Sequence, residues 1–151
     1  MADWALSSSE RLVLRSIWRH SPISRNQIAQ ITGLAPASAT RLVRDLEQRG
    51  LVVETVLRSG ARGQPSRPLS LKPEGAYSFG VYFSHTYVEA GLVDLSGRLV
   101  SHARIKVDAP RADVIAEAAR RELLSQSAAL DIPLDRIIGA GFALPGDFGE
   151  T

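Results

Sequence analysis

The chain has 151 residues, 44% of them hydrophobic and 23% charged, the composition of an ordinary soluble globular protein. No apolar run approaches the ~18 residues that a membrane span requires. The first residues, Met1-Ala2-Asp3-Trp4, have neither the basic start nor the apolar stretch of a signal peptide. With no cysteine present, disulfides, thiolate metal sites and cysteine nucleophiles are excluded. The expectation is a cytoplasmic protein that stays off the membrane, built as one domain or two small ones.

The net charge of +2 conceals an asymmetry. Residues 1–72 hold 11 Lys/Arg against 5 Asp/Glu, and residues 73–151 hold 7 against 11. The first part carries +6 and the second −4. The first therefore has the charge of a polyanion binder, and the second does not. The basic residues are 16 Arg and 2 Lys, and arginine forks suit phosphate and guanine edges.

In chain order, Ser7-x-x-Glu10 fits a capping box, in which side chains satisfy the free N–H groups at a helix start. Val13, Leu14, Ile17 and Trp18 then recur at helical spacing, with Arg11, Arg15 and Arg19 on the other side. His20-Ser21-Pro22 ends this helix, because the residue before proline avoids the α region. Ser24-x-x-Gln27 is a second capping box, with Ile23 and Ile28 placed to form a hydrophobic staple. Ile28, Ala29 and Ile31 give a short inner face, and Gly33 stops the helix by adopting positive φ.

A third helix opens with Pro36 at its first position. Its expected buried stripe is Ala39, Leu42, Val43 and Leu46, which leaves Ala37, Ser38, Thr40, Arg41 and Arg44 facing outward. Gly50 ends it. Residues 51–57 alternate loosely as a strand, residues 58–67 form a basic tip, and residues 68–71 return as a second strand.

Two helices joined by a glycine turn, the second slim and polar at its leading end, make a helix-turn-helix. A recognition helix must enter the major groove, so large apolar residues on its leading face would block approach. Ser38, Thr40 and Arg41 meet that demand and are candidates for base edges, behind Pro36 and Ala37. Arg44, Ser24 and Arg25 are candidates for phosphate. The basic hairpin reads as a wing, with Arg62, Gln64 and Arg67 placed for the narrow minor groove or its flanking phosphates. The plainer alternative is a protein-interaction module whose charged helix faces are only solvated. The combination of capping boxes, glycine turn, slim third helix and basic wing favours DNA.

From Ser78 the pattern changes. Residues 79–83, 87–95 and 98–107 read as three strands, the second closed by the turn Asp94-Leu95-Ser96-Gly97. Asp108-Ala109-Pro110 breaks the third. Residues 112–130 read as a helix with Val114, Ile115, Ala118, Ala119, Leu123 and Leu124 inward. Residues 137–144 form an apolar strand that ends at Pro145-Gly146. The order β-β-β-α-β opens an actin-like, ribonuclease-H-like lobe but does not complete one, so the chain is expected to be a fragment. The fold class is thus α+β followed by α/β: a winged helix-turn-helix in 1–72, then an incomplete lobe in 73–151.

Several stretches in this order resemble the ROK family of repressors, open reading frames and sugar kinases. Leu34-Ala35-Pro36-Ala37-Ser38-Ala39-Thr40-Arg41-Leu42-Val43, then Leu46 and Arg49-Gly50-Leu51-Val52, is similar to the family's recognition helix and its exit. Gly63-Gln64-Pro65-Ser66-Arg67-Pro68 followed by Leu69-Ser70-Leu71 is similar to its wing. Phe79-Gly80-Val81 with Leu92-Val93-Asp94-Leu95-Ser96-Gly97 resembles its first hairpin. Ile138-Gly139-Ala140-Gly141-Phe142-Ala143-Leu144-Pro145-Gly146 resembles its strand ending in Pro-Gly.

The departures carry information too. Where family kinases have Asp-x-Gly-Gly-Thr for ATP phosphates, this chain has Tyr82-Phe83-Ser84-His85-Thr86. Tyr82 supplies no carboxylate, and Ser84 and His85 add side chains where phosphate needs close backbone approach. Ala35 stands where the family often has a serine cap, a loss typically worth ~1 kcal/mol. His20, His85 and His102 have no metal-ligand spacing. The family's sugar-contacting acid, catalytic Asp and Cys/His zinc cluster have no counterpart among these residues, so no catalytic residue, metal or cofactor is assigned.

The resemblance implies a transcriptional regulator, a repressor of sugar uptake or catabolism genes. It would bind a palindromic double-stranded operator as a homodimer and respond to a sugar or sugar-phosphate effector in its longer form. The alternatives are a ROK-type sugar kinase with a DNA-binding extension, and a bare DNA-binding module whose second half dimerises.

Overall fold

The computed structural model describes residues 4–55, 67–108 and 111–144. They form two compact units, one running to Gly75 and the other starting at Ala76.

The first unit begins with α1 (Ser8–His20), α2 (Arg25–Thr32) and α3 (Pro36–Gln48). Both expected capping boxes are present. Ser7 Oγ accepts from the Glu10 amide at 3.2 Å, and the Glu10 carboxylate accepts from the Ser7 amide at 2.7 Å. Hydrogen bonds from Ser7 hold the Glu10 carboxyl below its ordinary range. Burial opposes that shift, and the nearby Arg49 charge supports it. Arg49 Nη1 lies 3.3 Å from Glu10 Oε1 and so ties the end of α3 to the start of α1.

Val13 and Ile17 of α1, Ile28 and Ala29 of α2, and Ala39, Leu42, Val43 and Leu46 of α3 are buried. The α3 stripe is the one its spacing predicts. Two expectations are corrected. Trp18 is 58% exposed and Ile31 52% exposed. Successive helical residues lie about 100° apart, so α1 turns Val13, Ser16 and Ile17 inward and carries the bulky Trp18 past the core edge. The hydroxyl of buried Ser16 donates to the Leu12 carbonyl at 2.9 Å, so it adds no unpaired donor. In α2 the eight-residue length admits only Ile28 and Ala29 to the core.

Strands β1 (Val52–Glu54) and β2 (Leu69–Leu71) pair antiparallel, with Val53 opposite Ser70. The segment before α2 joins them on the far side of β2. Ile23 and Leu69 exchange backbone hydrogen bonds of 3.1 and 2.7 Å. Ser21 Oγ donates to Ser70 Oγ at 2.9 Å. The wing base is therefore seated on the α1–α2 connection. The turn at Pro73–Gly75 packs against the exit of α3. A Cβ at Gly75 would lie 2.4 Å from the Gly50 carbonyl oxygen and 3.1 Å from Leu51 Cα, so only glycine allows that approach.

The second unit contains β3 (Tyr77–Phe83), β4 (Tyr87–Asp94), β5 (Leu99–Lys106), α4 (Ala112–Ala129) and β6 (Ile137–Ala143). This is the expected β-β-β-α-β order. The strands lie as β5-β4-β3-β6, with β6 parallel to β3 and the other pairs antiparallel. The core consists of Phe79, Val81, Val88, Ala90, Leu92, Val107, Ile115, Ala119 and Ile132. Helix α4 buries Ile115, Ala118 and Ala119 of its predicted inner face and departs from it only toward its C-terminal end. Gln126 and Ser127 are buried, while Leu124 is 40% exposed. The Gln126 amide donates to the Ala90 carbonyl at 3.1 Å, which pins α4 to the centre of β4. A hydrogen bond of this kind offsets part of the cost of burying an amide.

Candidate nucleic-acid interface

The turn between α2 and α3 sets the angle of the candidate recognition helix. Gly33 takes φ 70°, in the left-handed region that glycine enters without a Cβ penalty. Pro36 then occupies the start of α3, where its missing N–H costs nothing. Ala35 caps that helix without a side-chain hydrogen bond.

Burial of Ala39, Leu42, Val43 and Leu46 forces the opposite face outward. Pro36, Ala37, Arg41 and Arg44 are exposed, and Ser38 and Thr40 are half-buried. Ala37, Thr40, Arg41 and Arg44 lie three or four residues apart and so share one face. The Thr40 hydroxyl donates to the Pro36 carbonyl at 2.9 Å. That leaves its oxygen lone pairs to accept from a ligand. Arg41 Nη1 reaches Asp45 Oδ2 at 3.0 Å, with the Arg41 side chain 68% exposed. The pair holds the guanidinium against the helix without removing it from solvent. This face can donate and accept hydrogen bonds, and it is slim enough to approach a base edge.

Ser24 and Arg25 open α2. Ser24 Oγ accepts from the Gln27 amide at 3.3 Å, and Gln27 Oε1 accepts from the Ser24 amide at 2.9 Å. Replacing Ser24 with Ala should lower stability by about 1 kcal/mol through loss of this cap. Urea unfolding of the variant measures the effect directly.

Arg25 is not free. Its guanidinium donates to Glu54 of β1 and, at 3.1 Å, to Glu47 of α3. Arg67, at the foot of the returning strand, places Nη1 3.6 Å from Glu54 Oε2. The structure thus brings Arg25 and Arg67 onto one carboxylate. Sequence reasoning did not find Glu47 and Glu54. Their partners are 22 and 29 residues away, so no local period marks them. Arg62 and Gln64 lie outside the described residues.

In the second unit, the stretch aligned with the kinase phosphate motif ends β3 and turns into β4. The Tyr82 and Tyr87 rings lie 6.1 Å apart, and the Arg104 guanidinium lies 3.8 Å from the centre of the Tyr87 ring. The Ser84 amide donates to the Tyr87 carbonyl at 2.8 Å, closing a tight turn. Aromatic rings and a closed turn stand where a phosphate would need open glycine backbone. Among the described residues, no group of three His, Cys, Asp or Glu is placed to hold a metal. No helix among them is long and apolar enough to cross a membrane.

Residues 6–55 match the MarR family. The chain is 37% identical over 146 residues to the uncharacterized protein y4fQ of Sinorhizobium fredii (strain NBRC 101917 / NGR234), covering 97% of this chain and 37% of that one. It is 27% identical over 104 residues to the xylose repressor of Bacillus spizizenii (strain ATCC 23059 / NRRL B-14472 / W23), covering 68% of this chain and 27% of the repressor. Its fold matches the crystal structure of a ROK family transcriptional regulator described as a homologue of the E. coli MLC protein. There the TM-score is 0.68 and the identity 27%, covering 91% of this chain and 35% of that one. The chain spans between about a quarter and little more than a third of the length of these three relatives. An N-terminal helical unit, the sheet-and-helix lobe that follows it and these likenesses agree: the chain has the fold of the corresponding part of a ROK family transcriptional regulator.

Proposed function

We propose that this chain is the DNA-reading part of a transcriptional repressor of sugar uptake or catabolism genes. One observation carries the reading. The outward face of α3 holds short hydrogen-bonding side chains and two arginines, on a helix seated by a buried stripe and followed by a paired wing base. Ser38, Thr40 and Arg41 read bases, with Pro36 and Ala37 leading the helix into the groove. Arg44 and the start of α2 at Ser24 and Arg25 position the protein on phosphate. Arg62, Gln64 and Arg67 belong to the wing.

The longer protein would bind a palindromic operator as a homodimer. A sugar or sugar phosphate would act through its differential affinity for two arrangements of the winged units. The likeness to a xylose repressor supports a sugar as the effector class. The alternative of a sugar kinase with a DNA-binding extension is disfavoured by Tyr82, Ser84 and His85 in place of the phosphate motif, and no ATP-dependent step is assigned. The protein is read as a regulator in the cytoplasm.

The wing assignment is tested by salt titration. Replacing Arg62 or Arg67 with Ala should weaken binding to a preferred DNA duplex. Each change should flatten the plot of log affinity against log salt by roughly one, because each phosphate contact releases a counterion. An unchanged slope in both variants would remove the wing from the interface.

A further inference from the structure

Two of the arginines assigned above to DNA already have carboxylate partners inside the protein. Arg25 sits between Glu47 and Glu54, and Arg67 sits on the other oxygen of Glu54. The four groups carry no net charge together. Their exposures differ in a useful way. Arg25, Glu47 and Glu54 are only 24–27% exposed, whereas Arg67 is 66% exposed. Glu54 is thus held firmly from one side by Arg25 and loosely engages the exposed side chain of Arg67 on the other. At 3.6 Å the Arg67 contact is an exposed ion pair, of the kind that contributes little and yields to a competing anion. A phosphate is such an anion, and it binds guanidinium in the same forked geometry.

We propose that Glu54 is a positioning residue for DNA discrimination: pinned by Arg25, it holds Arg67 at the wing base and lets it go only to a well-placed phosphate. This deepens the DNA-binding reading and rests on it. A poorly placed phosphate, as on duplex lacking the right sequence or shape, does not repay the broken pair and also meets the Glu54 charge. The carboxylate therefore acts chiefly against non-specific binding, a repulsive element that sharpens selection.

The test uses the full 151-residue chain and a random-sequence 30-base-pair duplex. Glu54→Gln keeps an oxygen to accept from Arg25 but removes the charge that faces Arg67. It should bind the random duplex roughly threefold to fivefold more tightly, the scale of one exposed ion pair. Arg67→Ala should then cost more affinity in the Glu54→Gln background than in the unaltered chain. Glu47→Gln removes the same charge from the cluster without touching Arg67, so it should leave the cost of Arg67→Ala as in the unaltered chain. Thermal melts of each variant separate binding from unfolding, and a change due only to a loosened fold would not produce the selective coupling to Arg67. Equal or weaker binding by Glu54→Gln overturns the proposal, as does an Arg67→Ala cost that is the same in all three backgrounds. Failure of the unaltered chain to bind any duplex would instead remove the DNA-binding reading beneath it.

Discussion

Replacing Arg41 with Ala should reduce affinity for a preferred duplex by roughly 5- to 150-fold, the 1–3 kcal/mol that a bidentate arginine–base contact supplies. The same change should leave fold stability almost untouched. Arg41 is 68% exposed and its partner in the fold is Asp45, one turn along α3. Such i,i+4 pairs contribute about 0.3–0.5 kcal/mol. Affinity for random duplex should fall much less, because there the arginine offers only its charge. A binding titration on both duplexes, with a melt of the variant, checks all three statements. An equal loss on the two duplexes would make Arg41 a phosphate contact and move base reading to another residue.

The largest expected change in stability comes from Leu46→Ala. Leu46 is fully buried at the last turn of the α3 stripe, with Ala39, Leu42 and Val43 beside it. Removing such a side chain leaves a cavity and costs about 2–5 kcal/mol. A small unit has only about 5–15 kcal/mol in total, so the variant should lose a large part of its folded population on mild heating. DNA binding should fall in proportion to unfolding, since α3 is both wall of the core and carrier of the proposed binding face. The two tryptophans, Trp4 and Trp18, both lie before Gly75. Tryptophan fluorescence in urea therefore follows this unit alone. A loss below about 1 kcal/mol, the ordinary cost of a surface change, would contradict the packing described for α3.

Much of the fold was readable because the signals are local. Ser7-x-x-Glu10 and Ser24-x-x-Gln27 specify helix starts through contacts three residues apart, and both capping boxes are present. The α3 stripe follows directly from helical spacing on a helix with one buried face. Short apolar runs separated by turn residues located β3 to β6. What escaped was set by distant parts of the chain. Trp18 fits the apolar period of α1, but its exposure depends on how far the three-helix core extends. Gln126 looks like a surface residue until the Ala90 carbonyl is placed beside it. The pairing of Ile23 with Leu69 joins segments far apart in sequence. The candidate site divides in the same way. The outward residues of α3 follow from its periodicity, whereas the ties from Arg25 and Arg67 to Glu54 do not. An arginine on a basic unit reads from sequence as a free cation. Only the fold shows which of them already have an anion.

The most direct test of the account is binding of the 151-residue chain to duplex DNA from the promoter region of its own gene, against random duplex, over a salt series. Preferred binding to the promoter duplex is expected, with a steep linear fall of log affinity with log salt, as several arginine–phosphate contacts require. Weak and equal binding to both duplexes would contradict the assignment of α3 and the wing as a sequence-reading surface.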